Sequence, residues 1–127
     1  MQKNLNLRKL GQEKETIVID YLKQLGYQIK HRNWHYSNRG EIDIIAIDPS
    51  RFNTEYLIFI EVKYRKASID VGLQSLSKNK QIRLKKLALY YCKEASINPL
   101  DTAISFDFIS PDDNQIEHIK DIFTHSF

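Results

Sequence analysis

The sequence predicts an α/β fold in which a mixed β-sheet is flanked by helices, with elements in the order αβββαββ. Two stretches carry apolar residues at helical spacing, and five shorter ones read as strands. Ile42 to Ile47 and Leu57 to Val62 are so continuously apolar that both faces of the sheet must be covered, which calls for helices on each side. At 127 residues and 15.0 kDa the chain suits one domain, residues 1–127, with no linker or internal repeat to divide it.

The first helix is expected from about Leu7 to Leu25. Leu7, Leu10, Val18, Tyr21, Leu22 and Leu25 recur at helical spacing, and Gly26 is a suitable stop. Tyr27 to Tyr36 then reads as an extended stretch, Ser37 to Gly40 as a turn and Glu41 to Asp48 as a strand. Pro49 to Glu55 reads as a loop and Tyr56 to Tyr64 as the third strand. A second helix starts after Ser77, a candidate N-cap, and runs to about Ala95 with Leu84, Leu87, Ala88 and Tyr91 as its apolar stripe. Ala103 to Ser110 and Gln115 to Ile119 complete the chain as strands around the turn Pro111 to Asn114.

Composition excludes several classes. Hydrophobic residues at 42% and charged residues at 28% leave no room for a disordered or low-complexity chain. A lone cysteine, Cys92, forms no internal disulfide, and the start of the chain lacks the apolar stretch of a secretory signal, so a cytoplasmic location is expected. No apolar run approaches the roughly 20 residues that span a bilayer, so no membrane role is expected. The net charge of +3 is unevenly spread: residues 1–93 carry 18 Lys and Arg against 9 Asp and Glu, whereas residues 94–127 carry 1 against 7. The acid-free segment from Val71 to Lys93 holds Lys78, Lys80, Arg83, Lys85, Lys86 and Lys93. It suits a polyanion, although a solvated helix face is the more common meaning of such a run.

The most informative residues are charges inside apolar strands. Asp43, Glu61 and Lys63 interrupt runs where an ionised side chain costs several kcal/mol unless it is paired or metal-bound. Glu61 and Lys63 share a strand face, roughly 6.6 Å apart. If Asp48 and Tyr56 close the hairpin, the positions of antiparallel partners sum to a constant that puts Asp43 opposite Glu61, with Cβ atoms roughly 5 Å apart. Two carboxylates so placed call for a shared proton, an intervening cation, or both. On the first helix Glu15, Val18, Leu22 and Leu25 form the stripe that should face the sheet, adding a third inward carboxylate. Glu41 shares the Asp43 face but adjoins the turn. Three acids and a lysine suit a hard divalent cation such as Mg²⁺ and phosphodiester hydrolysis, and equally suit a buried ion-pair network without chemistry.

Asp43, a stretch of about 18 residues, and then Glu61-Val62-Lys63 resemble the PD-(D/E)xK nuclease pattern. Gly40-Glu41-Ile42-Asp43-Ile44-Ile45-Ala46, Ile58-Phe59-Ile60-Glu61-Val62-Lys63-Tyr64-Arg65 and Gly11-x-x-x-Glu15 extend it, and Ile42 stands where the superfamily label has proline. The combination is similar to the bacterial YraN-type family of uncharacterised proteins, and more distantly to archaeal Holliday-junction resolvases. The likeness covers about residues 8–127, including Arg32-Asn33, Lys80 and Phe106-Asp107-Phe108. It implies a restriction-endonuclease-like three-layer core. Asp43 and Glu61 are then the principal ligands of Mg²⁺ or Mn²⁺, Glu15 an auxiliary ligand and Lys63 the catalytic lysine. Nucleic-acid contacts are expected at Lys78, Lys80, Arg83 and Arg65.

Other chemistries find less support. His31, His35, His118 and His125 make no H-E-x-x-H site, one cysteine makes no zinc site, and Ser75 and Ser77 lack a nucleophile elbow. Trp34 and Tyr36 beside Arg32 and Arg39 suit base stacking less well than core and edge packing. The leading expectation is a metal-dependent nuclease acting on DNA, with branched, flapped or single-stranded forms as candidate substrates. The alternatives are a noncatalytic nucleic-acid-binding module and a protein-interaction domain using the acidic end. A homodimer would suit cleavage of two strands, and no dimerisation motif or protein partner is legible.

Overall fold

The structure is a computed structural model, and it describes residues 2–63, 77–111, 115–123 and 125–127. Arg65, expected to contact nucleic acid, and most of the expected turn before the last strand lie outside the described residues. Helix α1 spans Gln2–Gln24 and α2 spans Lys78–Glu94. The strands are β1 Gln28–His35, β2 Glu41–Arg51, β3 Thr54–Val62, β4 Ala103–Pro111 and β5 Ile116–Ile119. The described elements thus follow the expected order. No described helix is long and apolar enough to cross a membrane.

The five strands form one mixed sheet in the order β1-β2-β3-β4-β5, antiparallel except for the parallel β3–β4 pair. A parallel pair needs a crossover, and the segment containing α2 supplies it. Leu84, Leu87, Ala88, Tyr91 and Cys92 bury one stripe of α2 against Ile42, Ile45, Phe59 and Phe106. On α1, Val18, Ile19 and Leu22 pack on Ile44, Ala46, Ile58, Ile60 and Ile109. Each helix therefore covers its own group of strand residues, the physical reason that β2 and β3 read as nearly unbroken apolar runs. Ser77 caps α2 by accepting a hydrogen bond from the Lys80 backbone N–H at 3.1 Å.

Several boundaries differ from the sequence reading. Leu10 and Leu25 are about half exposed, because the inward stripe of α1 is Glu15, Val18, Ile19 and Leu22. Pro49 lies within β2 rather than a loop, where the register shifts between Asp48 and Arg51 and no ladder donor is required of it. The strands run on to a tight turn at Phe52 and Asn53, both with positive φ. Beyond this bulge the buried Arg51 donates to Asp48 at 3.0 Å, to both carboxylate oxygens of Asp107 at 3.2 and 2.8 Å, and to the Tyr27 hydroxyl at 3.0 Å. His118 of β5 lies 2.7 Å from the same Asp107 carboxylate. Burial alone would push the Asp107 carboxyl up, but its hydrogen bonds with His118 and Arg51 outweigh this and bring it down to about 2. This network of buried hydrogen bonds ties β2, β4 and β5 together.

Candidate functional site

Asp43 sits where the sheet changes face. In a regular strand residues two apart share a face. Here Ile42 packs with the α2 cluster and Ile44 with the α1 cluster. Their β1 partners behave alike: Trp34, opposite Ile42, joins the α2 cluster, whereas Arg32, opposite Ile44, reaches α1. Between them Asn33 has φ 54°, a left-handed value that Asn tolerates better than most residues. The turn of both strands at Asn33 and Asp43 exposes Asp43 to groups from both sides of the sheet.

The β2–β3 register is the one expected, with Asp48 opposite Tyr56 and Ile44 opposite Ile60. The regular pairing ends there, and the Asp43 Oδ2 atom accepts a hydrogen bond from the Val62 backbone N–H at 2.8 Å. Asp43, Glu61, Arg83, Leu84 and Phe106 help to line a cavity of about 340 Å³ beside the α2 face. Burial raises the Asp43 carboxyl to about 6. The Val62 hydrogen bond opposes the shift, while the negative charges of Glu15, Glu61 and Glu41 add to it.

The other expected residues are placed as follows. Glu15 is buried on α1 and receives Arg32 Nε at 3.3 Å, while the Arg32 Nη2 atom donates to the Gln12 carbonyl and the Thr16 hydroxyl. Glu61 receives two lysines on one oxygen: Lys63 Nζ lies 3.2 Å and Lys80 Nζ 3.3 Å from Oε1. Its Oε2 atom is buried without a hydrogen-bond partner among the described residues. Lys63 also stands 5.6 Å from the centre of the Phe108 ring. Lys78 and Arg83 are exposed on α2. Glu41 pairs at the surface with His35 at 2.9 Å. Trp34 is buried edge-on to Tyr91, and Tyr36 stacks on Tyr90 at 4.1 Å, so both aromatic rings serve packing.

Among the described residues no three His, Cys, Asp or Glu side chains are gathered closely enough to hold a metal ion as they stand. The donor chemistry nevertheless fits a hard divalent cation, because the residues offer carboxylate oxygens and Glu61 Oε2 is buried and unsatisfied. What keeps Glu15 and Glu61 engaged is internal: Arg32 on the first, Lys63 and Lys80 on the second. The Arg32 pairing was not foreseen from sequence; its only signal was a basic residue at the start of the Arg32-Asn33 pair. The Lys80–Glu61 contact could be anticipated from the placing of Lys80 one turn before Leu84 on the sheet-facing stripe.

Comparison with known proteins matches residues 14–110 to the profile of a family described as uncharacterised protein family UPF0102. The chain is 43% identical over 117 residues to a UPF0102 protein of Thermodesulfovibrio yellowstonii, covering 91% of this chain and 96% of that one. A UPF0102 protein of Fusobacterium nucleatum is 38% identical over 120 residues, covering 93% of each chain. One from Carboxydothermus hydrogenoformans is 33% identical over 121 residues, covering 93% of this chain and 98% of its own.

Proposed function

We propose that this chain, which belongs to the uncharacterised protein family UPF0102, is a divalent-metal-dependent endonuclease of the PD-(D/E)xK superfamily that hydrolyses DNA phosphodiester bonds in the cytoplasm. The observation that carries the reading is one cavity lined by Asp43, Glu61 and Arg83, with Lys63 on the Glu61 carboxylate. The described elements, in the order αβββαββ with a mixed sheet between two helices, are consistent with a restriction-endonuclease-like core.

Asp43 and Glu61 would hold Mg²⁺ or Mn²⁺, with Glu15 as an auxiliary ligand. When bound, such a cation lowers the pKa of water and offsets the charge of a phosphate. Lys63, paired with Glu61, would orient the attacking water or stabilise negative charge as it develops on phosphate oxygens. The burial and neighbouring acids that make the Asp43 carboxylate costly are what a bound cation would offset. Arg83 on the cavity wall and exposed Lys78 supply positive charge for the strand on either side of the scissile phosphate.

The test is cleavage of end-labelled single-stranded, duplex, flap and four-way DNA with Mg²⁺ or Mn²⁺. Wild type should cut at least one form, whereas Asp43→Asn, Glu61→Gln and Lys63→Ala should each lose on the order of 100-fold or more while remaining folded. Equal divalent-dependent cleavage by all four proteins would sink the proposal. The second reading is a noncatalytic nucleic-acid-binding module, favoured by the absence of a ready-made metal cluster among the described residues. It predicts binding without turnover.

A further inference from the structure

The odd feature of the cavity is that one carboxylate oxygen of Glu61 holds two lysines while its other oxygen is buried and has no hydrogen-bond partner among the described residues. Two ammonium groups on a single oxygen repel each other. The arrangement persists only while Glu61 is anionic and no stronger cation competes. The lysines are also unlike. Lys63 follows directly on β3, its backbone N–H bonded to the Ile109 carbonyl at 2.9 Å, so its base is fixed by the sheet. Lys80 comes from a different element, the first turn of α2, and its side chain is partly open to solvent. Its long stem lets the ammonium leave Glu61 without disturbing the Ser77 cap, which uses only its backbone N–H.

We infer that Lys80 is an internal stand-in for the divalent cation: its ammonium holds Glu61 in the metal-free chain and is released toward a substrate phosphate when the cation is bound. The inference rests on the metal-dependent reading of the same site. It accounts for the lack of a ready-made carboxylate cluster among the described residues, since one of the acids is neutralised from within. It also gives Lys80 two successive partners of the same charge, Glu61 and then a phosphate, so metal and substrate loading become coupled. Lys80 is here a positioning residue, acting through Glu61.

Two measurements test this. Titration of Mn²⁺ by calorimetry should show Lys80→Met binding the ion about tenfold more tightly than wild type, since removing a neighbouring positive charge favours a dication. Lys23→Met, which removes the same charge from the far end of α1, should leave affinity unchanged, and Glu61→Gln should abolish the tight binding. Equal or weaker Mn²⁺ binding by Lys80→Met, or no binding by either protein, would overturn the inference. In the unaltered chain, labelling with an amine-reactive reagent followed by peptide mass analysis should find Lys80 several-fold more reactive when Mn²⁺ is present. Reactivity that stays level or falls would also overturn it. Tighter Mn²⁺ binding without DNA cleavage would uphold the stand-in and defeat the nuclease reading. Cleavage with unchanged Mn²⁺ affinity would do the reverse.

Discussion

Asp43 shows how one side chain can be costly to the fold that holds it. Its carboxyl is raised to about 6 by burial, and then by Glu15, Glu61 and Glu41, against the pull of the Val62 N–H. Between about pH 4 and 6 the folded chain keeps a proton that the unfolded chain has released, so this residue makes stability fall as pH rises through that interval. Above pH 6 the full cost, about 3 kcal/mol, remains. Asparagine keeps an oxygen for the Val62 N–H but carries no charge. In chelator, Asp43→Asn should therefore melt several degrees above wild type at pH 7.5, with the gap closing toward pH 4. A variant that melts lower across the whole range would show that the carboxylate is compensated by groups other than those named.

At the scale of elements, the site depends on two strands turning over together. Asn33 in a left-handed conformation lets Arg32 reach α1 while Trp34 packs toward α2, and β2 follows through the Trp34–Ile42 and Arg32–Ile44 pairs. Asn33→Val places a β-branched residue in that conformation and should cost about 2 kcal/mol or more, whereas Asn33→Gly should cost much less. Urea unfolding of the two variants measures the difference; equal stabilities would mean that the strands keep their twist without it. Much of the rest was legible in the sequence. The hairpin register followed from pairing Asp48 with Tyr56, and the stripe of α2 followed from Leu84, Leu87, Ala88 and Tyr91. The change of face at Asp43 was not, since alternation assumes a regular strand and a single positive φ breaks it. Nor was the Arg51–Asp107–His118 network, because its members lie far apart in the chain and Arg51 fell in an expected loop. Glu15 was found by helical spacing, whereas its partner Arg32 required the three-dimensional approach of β1 to α1.

For the whole molecule the uneven charge decides how a polyanion would approach. The +9 of residues 1–93 and the −6 of residues 94–127 give the chain basic and acidic sections, and α2 carries an acid-free run of basic residues up to Lys93. Those residues do not all play one part. Lys80 is engaged by Glu61, whereas Lys78 and Arg83 are exposed, and Arg83 also borders the cavity. If α2 is the phosphate track, each of these two exposed cations releases counterions on binding. Lys78→Met and Arg83→Met should then each weaken DNA binding across sequences and lower the slope of log affinity against log salt by about 1. Binding measured by fluorescence anisotropy from low to moderate salt, in chelator so that no cleavage intervenes, separates this from a loss of folding, which lowers affinity without a matching change of slope. A slope untouched by both substitutions would move the nucleic-acid surface off α2. The cavity at Asp43 and Glu61 would then have to be approached from the β1 side, where Arg32 is already committed to Glu15.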